Sequence, residues 1–293
     1  MKMSKKVQLL SQEITRFIDR HQEESFLIKK FPKEIDNLSE FEETIDRDIQ
    51  RLRFCVPNPN RPGSHEIDKT STPVVYLKRL AAKLYSIDEY YQEILDFLIP
   101  IIYTEVSANK DIEYSVIEKH CMVIYENFLY MYLKDNYALA LSYELILRKM
   151  DGYYITKPID LEEIKGIFVE LSHTALWFSR IFAYDDLVYI YSYLLQSELY
   201  TPYVFFLAAI DIIRERENAK PIFNLGNPSA ILGEDKMMAL ISKSKKLDKK
   251  IGHFFKKGIS PSTITMFLVL AGIGVGAAIA AGVCMSKNRS SKE

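Results

Sequence analysis

The stretch FEETIDRDIQRL, residues 41–52, places apolar side chains at Phe41, Ile45, Ile49 and Leu52 with charge between them. Steps of four, four and three are the helical period. On a wheel of about 100° per residue, Ile49 and Leu52 fall within about 40° of Ile45 and form a stripe for burial. Asp48 lies about 60° to one side, at the margin of that stripe, and Arg51 about 60° further round, where it can pair with Asp48. Asp46, Gln50 and Arg53 occupy the other flank, and Arg47 points to solvent. An acid three residues before a base on an exposed helix is ordinarily a surface pair contributing about 0.2–0.5 kcal/mol. By itself this helix therefore names no function.

Working outward, Ser39 and Glu42 have the spacing of a capping box at the helix start, and the prolines of VPNPNRPG (56–63) end it. Upstream, VQLLSQEITRFIDRH (7–21) carries Leu10, Ile14, Phe17 and Ile18 at helical spacing, which predicts a helix packed on the main domain. Downstream, Thr72 and Pro73 open another helix. YYQEILDFLIPIIY (90–103) follows, with Pro100 predicted to kink or interrupt it. Further periodic runs span 110–134 and 136–149, and others follow the break MDGYY (150–154). No stretch sustains two-residue alternation, so the fold class read from sequence is all-α and multi-helical. The expected organisation is a helical segment over 1–35, a helical domain over 36–217 and a linker with a lysine-rich stretch over 218–262. A spanning helix over 263–285 and a short tail over 286–293 complete it.

Net charge of -1 gives no whole-molecule attraction for nucleic acid, and none is expected as a partner. Cys55, Cys121 and Cys284 are far apart and odd in number, so neither a disulfide framework nor a zinc site is read. His21, His65, His120, His173 and His253 stand singly, and no metal is expected. The nucleophile elbow, the phosphate-binding P-loop and the dinucleotide fingerprint are all missing from the sequence.

The segment ITMFLVLAGIGVGAAIAAGVCM (264–285) is free of charge. At about 1.5 Å per residue it reaches about 33 Å, the thickness of a bilayer's hydrocarbon core. Lys243, Lys245, Lys246, Lys249, Lys250, Lys256 and Lys257 precede it, and the positive-inside rule puts them on the cytosolic side. The expectation is a single-pass, tail-anchored protein with a cytosolic N-terminal domain. The endoplasmic reticulum is the expected membrane, with the mitochondrial or peroxisomal outer face as alternatives. Gly272 and Gly276 supply a small-residue face through which two spans could associate. A tethering protein with a membrane-proximal coiled coil is disfavoured, because Gly226, Pro228, Gly233 and Gly252 interrupt any heptad run.

The pattern I-x-x-D-x-x-R at Ile45, Asp48 and Arg51, followed by Y-x-Q at Tyr90 and Gln92, resembles the TBC family of Rab GTPase-activating proteins. Asp96 and Pro100 fall where that family often continues with aspartate and proline. ALWFSRIFAYDDLVYIYSYLLQSELYTPYVFFLAAIDIIRERE (175–217) looks like the family's C-terminal half. Coverage is about residues 36–217, and the C-terminal span is similar to the membrane-anchored branch acting between endoplasmic reticulum and Golgi.

The resemblance implies two catalytic side chains supplied in trans to a Rab in its GTP form. Arg51 would stabilise charge building on the phosphate oxygens, and Gln92 would orient the attacking water. Asp48 would position Arg51, Tyr90 would support Gln92, and Asp96 belongs to the same motif. No cofactor of its own is implied, since GTP and magnesium belong to the partner GTPase. Glu93 stands where the family usually has glycine, which motivates the alternative of a non-catalytic Rab-binding scaffold. Leu52, where many members have threonine, and Tyr191–Ser192, where a tryptophan–aspartate pair is common, also depart from the pattern.

Overall fold

The structure is a computed structural model that describes residues 4–21, 27–30, 38–58, 60, 63–91, 94–130, 177–197, 204–205, 208–209 and 232–256. The chain forms two units, Met1–Asn136 with Ile159–Lys245, and Tyr137–Pro158 with Lys246–Glu293. The described part of the second unit is the end of one helix.

Among the described residues the architecture is mainly helical. The elements are α1 (Lys5–His21), a 3-10 turn (Leu27–Lys29), α2 (Leu38–Arg51), α3 (Thr72–Ser86), α4 (Ile94–Ala108), α5 (Tyr114–Ile124), α6 (Tyr184–Leu194) and α7 (Glu234–Lys256). A π-helical stretch, Tyr125–Tyr130, prolongs α5. The core of the first unit is α4, buried from Ile94 through Ile102 and again at Thr104 and Glu105. A helix apolar all round can be stable in water only when other elements enclose it. Here α1, α3, α5 and α6 pack against it. α1 lays Leu10, Ile14, Phe17 and Ile18 into this core, so the N-terminal segment is integral to the first unit. Phe41, Ile45, Ile49 and Leu52 are all buried, as the helical wheel requires.

The structure departs from the sequence reading in several places. Between α2 and α3 the chain forms a two-stranded antiparallel ribbon, β1 (Cys55–Pro57) and β2 (Ser64–Glu66), pairing Cys55 with Glu66 and Pro57 with Ser64. Strands of three residues are too short to show alternation, and a ribbon with two edges accommodates Pro57. Gly63, at φ 128°, closes the turn, and its carbonyl accepts from the Asn58 amide at 2.9 Å. α2 opens at Leu38, one residue before the serine read as its cap.

Pro100 does not interrupt α4, which runs on to Ala108. Proline removes the bond to the carbonyl of Asp96, four residues back, and side chains bond two other carbonyls of the same stretch. The Tyr191 hydroxyl donates to the Phe97 carbonyl at 2.9 Å, and Thr104 Oγ1 donates to the Pro100 carbonyl at 2.7 Å. α4 itself begins at Ile94, so Tyr90 and Tyr91 precede the helix instead of opening it.

α7 lies within the stretch read as linker, and Gly252 is inside it without ending it. Its start is held by Asp186, a fully buried carboxylate on α6 that accepts from the amides of Leu232 and Gly233. Gly233, at φ 93°, makes the approach to the helix. Among the described residues no helix is long and apolar enough to cross a membrane. The segment 264–285 lies outside the described residues, as do the run over 136–149 and all of the stretch between 150 and 176.

Candidate functional site

The end of α2 and the loop before α4 meet at Asp48. Helical periodicity turns Asp48 to the core margin, where its side chain is 7% exposed, while Arg51, one turn on, is 60% exposed. The Tyr90 hydroxyl donates to Asp48 Oδ2 at 2.7 Å. Arg51 Nη1 stands 4.0 Å from Asp48 Oδ1. That distance is an electrostatic approach and not a hydrogen bond. One carboxylate thus carries a phenol on one oxygen and faces a guanidinium with the other. Arg47 sits on the solvated face, its Nη2 donating to Thr44 Oγ1 at 3.2 Å, and Asp46 pairs with Lys78 of α3.

The loop that carries Tyr90 is well anchored. Asp88 takes φ 60°, a left-handed turn that ends α3, and the Glu89 amide donates to the Leu84 carbonyl at 2.8 Å. The Tyr90 ring leans on Tyr85, whose ring packs at a tilt against Phe41 of α2 with centroids 4.5 Å apart. Tyr85 and Tyr91 remain substantially exposed beside the site.

Asp96, in the first turn of α4, is buried and faces Arg180. The guanidinium donates through Nε at 2.7 Å and through Nη2 to the same Oδ2. Arg180 is brought there by the turn Trp177–Phe182, in which Trp177 and Phe178 have φ of 48° and 66°. Two adjacent aromatic residues in this region carry backbone strain of about 1–3 kcal/mol each. The strain is offset by packing: the Trp177 ring meets Phe97 and Tyr191 edge-on, with centroids 5.0 and 4.9 Å away. Tyr191 is fully buried; burial first, and the nearby Asp96 carboxylate second, push its phenol well above the ordinary range. Tyr191 is therefore a packing residue of the first unit.

Lys69, in the turn after β2, donates to the Leu52 carbonyl at the end of α2. Burial lowers the Lys69 pKa, and the carboxylates of Glu66 and Asp96 oppose that shift. The ammonium is thus electrostatically coupled both to the chain beside Arg51 and to Asp96.

Of the residues singled out in the sequence, the structure joins Asp48, Arg51 and Tyr90 directly and gives Asp96 its own partner. Gln92 and Glu93 lie outside the described residues. Sequence reasoning missed Arg180 and Lys69. Arg180 is 84 residues from Asp96 and falls in an aromatic-rich run with no charge pattern to mark it. Compared with known proteins, the chain matches no family model, no curated protein and no solved structure.

Proposed function

We propose that this chain is a GTPase-activating protein for a Rab-family small GTPase, with a TBC-type domain held at a cytosolic membrane face by residues 264–285. The reading rests on the Tyr90–Asp48–Arg51 contact, which ties the two short motifs of the resemblance together across 42 residues. Chance matches to short motifs have no reason to meet in space. Arg51 is the exposed member, which suits a side chain that must leave its own surface and enter another protein's phosphate site. Asp48 restrains it without binding it tightly, so little has to be broken on engagement.

In this reaction the phosphoryl transfer belongs to the GTPase, and this chain contributes charge and orientation. Arg51 donates to phosphate oxygens as negative charge accumulates on them, and its planar fork remains protonated throughout. Gln92 accepts from the attacking water and donates to the phosphate. Tyr90 and Asp48 hold the two supports in register.

The test is stimulated GTP hydrolysis across a panel of purified Rab proteins, using the full chain in detergent or liposomes. Strong stimulation of one or a few members, lost in both Arg51→Ala and Gln92→Ala, is the expected result. No stimulation anywhere in the panel by folded protein, or full activity in both variants, would falsify the assignment.

A further inference from the structure

We infer that Lys30, on the short strap between α1 and α2, is a positioning residue for the loop that carries Tyr90. The inference rests on the site proposed above and adds a distant element to it. The strap residues Leu27–Lys29 form a single 3-10 turn, and Lys30 follows with its amide donating to the Leu27 carbonyl at 3.2 Å. Lys30 Nζ pairs with Glu89 Oε1, one residue before Tyr90. The Glu89 side chain is 4% exposed and that of Lys30 36%. A carboxylate so enclosed needs a partner to offset its lost hydration, and Lys30 supplies one. Glu89 Oε2 is buried with no hydrogen-bond partner, so the ion pair leaves Glu89 only partly satisfied.

Two further contacts make the strap and the loop one assembly. Leu27 donates its amide to Glu126 Oε2 at 3.1 Å, which fixes the strap to the stretch after α5. The neighbouring Tyr125 hydroxyl donates to the Glu89 carbonyl at 3.0 Å, which fixes the loop to the same stretch. The loop is therefore gripped by Lys30 at its side chain, by Tyr125 at its backbone and, one residue on, by Asp48 through the Tyr90 hydroxyl. Lys30 is the one of these three supplied by a strap outside the helices, and the one whose cation is partly open to solvent. Losing it removes the side-chain grip and leaves the Tyr125 and Tyr90 hydroxyls to hold the loop. The catalytic groups keep their chemistry and lose their register, a change expressed in turnover more than in binding.

The experiment compares the full wild-type chain with Lys30→Met, Glu89→Gln and Lys30→Arg. Hydrogen exchange at the amides of residues 87–91 and kcat and KM for stimulated hydrolysis are measured on each. The expected result for Lys30→Met is exchange faster by about tenfold or more at 87–91, with the amides of α4 and α5 unchanged. Its kcat falls by about tenfold with KM kept, Glu89→Gln behaves alike, and Lys30→Arg restores both readouts. Unchanged exchange at 87–91, a rise in KM with kcat kept, or uniformly faster exchange throughout the unit overturns the positioning role. If the wild-type chain stimulates no GTPase, the functional proposal fails by itself. The exchange comparison then still decides whether Lys30 holds the loop.

Discussion

The Tyr90 hydroxyl donates to Asp48 Oδ2 at 2.7 Å, joining a loop ahead of α4 to the last turn of α2. Asp48 is nearly buried, with that donor on one oxygen and the Arg51 guanidinium 4.0 Å from the other. Removing the hydroxyl in Tyr90→Phe leaves the ring packed on Tyr85 and deletes one charge-assisted bond. A loss of about 1.5–3 kcal/mol in unfolding free energy is expected. Denaturant titration of the variant beside wild type measures it. A loss below about 0.5 kcal/mol would show that water replaces the phenol.

Arg51 is expected to behave in the opposite way. With its side chain 60% exposed and 4.0 Å from Asp48, it contributes little to the fold. Arg51→Ala should leave unfolding free energy within about 0.5 kcal/mol of wild type. On the proposed function, stimulated hydrolysis should drop by about 10³-fold or more, the effect expected for withdrawing an arginine supplied in trans. Arg51→Lys retains the charge and loses the fork, and should recover only a small part of that rate. A thermal melt and a single-turnover assay on the same preparations separate the two effects.

The α2 part of this site was legible because its motif obeys a local rule. Phe41, Ile45, Ile49 and Leu52 announce a helix and its buried face, and that face dictates where Asp48 and Arg51 stand. The meeting of Asp48 with Tyr90 was not foreseen: the resemblance assigned Tyr90 to the support of Gln92, and the structure puts its hydroxyl on Asp48. What sequence could not supply is pairing at long range. Nothing in WFSRIF marks Arg180 as the partner of Asp96, because the contact depends on a left-handed turn at Trp177 and Phe178 that aromatic residues ordinarily avoid. The β1–β2 ribbon escaped for a different reason: its strands are shorter than the alternation that would reveal them. Pro100 misled because α4 is enclosed by other elements, among them Tyr191 of α6, whose bond to the Phe97 carbonyl lies 94 residues away in sequence.

Asp96 and Arg180 yield a prediction of asymmetry. Arg180→Ala takes the guanidinium from a buried carboxylate at the start of α4, with Lys69 as a more distant cation. It should destabilise the chain by about 3 kcal/mol. Asp96→Asn keeps the volume and leaves a partly exposed guanidinium that water can reach, so its effect should be smaller. The double variant should lie well short of the sum of the singles, since both remove one interaction. Equal and additive losses in a double-mutant cycle would mean that the two residues act independently.

Cys55 offers a pH test of the β1 environment. Burial pushes its thiol from the ordinary 9.0 up to about 11; the Glu66 carboxylate adds to the shift and Lys69 partly opposes it. The folded chain therefore holds this proton more tightly than the unfolded chain does. Its contribution to stability is complete below pH 9 and is lost as pH rises from there towards about 11. Lys69 works against this trend in the same range, because burial disfavours its charged form and deprotonation relieves that penalty. Wild type alone would thus show only the balance of the two. The informative quantity is the difference between wild type and Cys55→Ala in denaturant midpoint, measured at pH 8 and at pH 10.5. That difference should shrink at the higher pH, and a thiol reagent at pH 8 should label Cys55 only after unfolding. A difference independent of pH would place the thiol in contact with water and remove the basis for a dry β1.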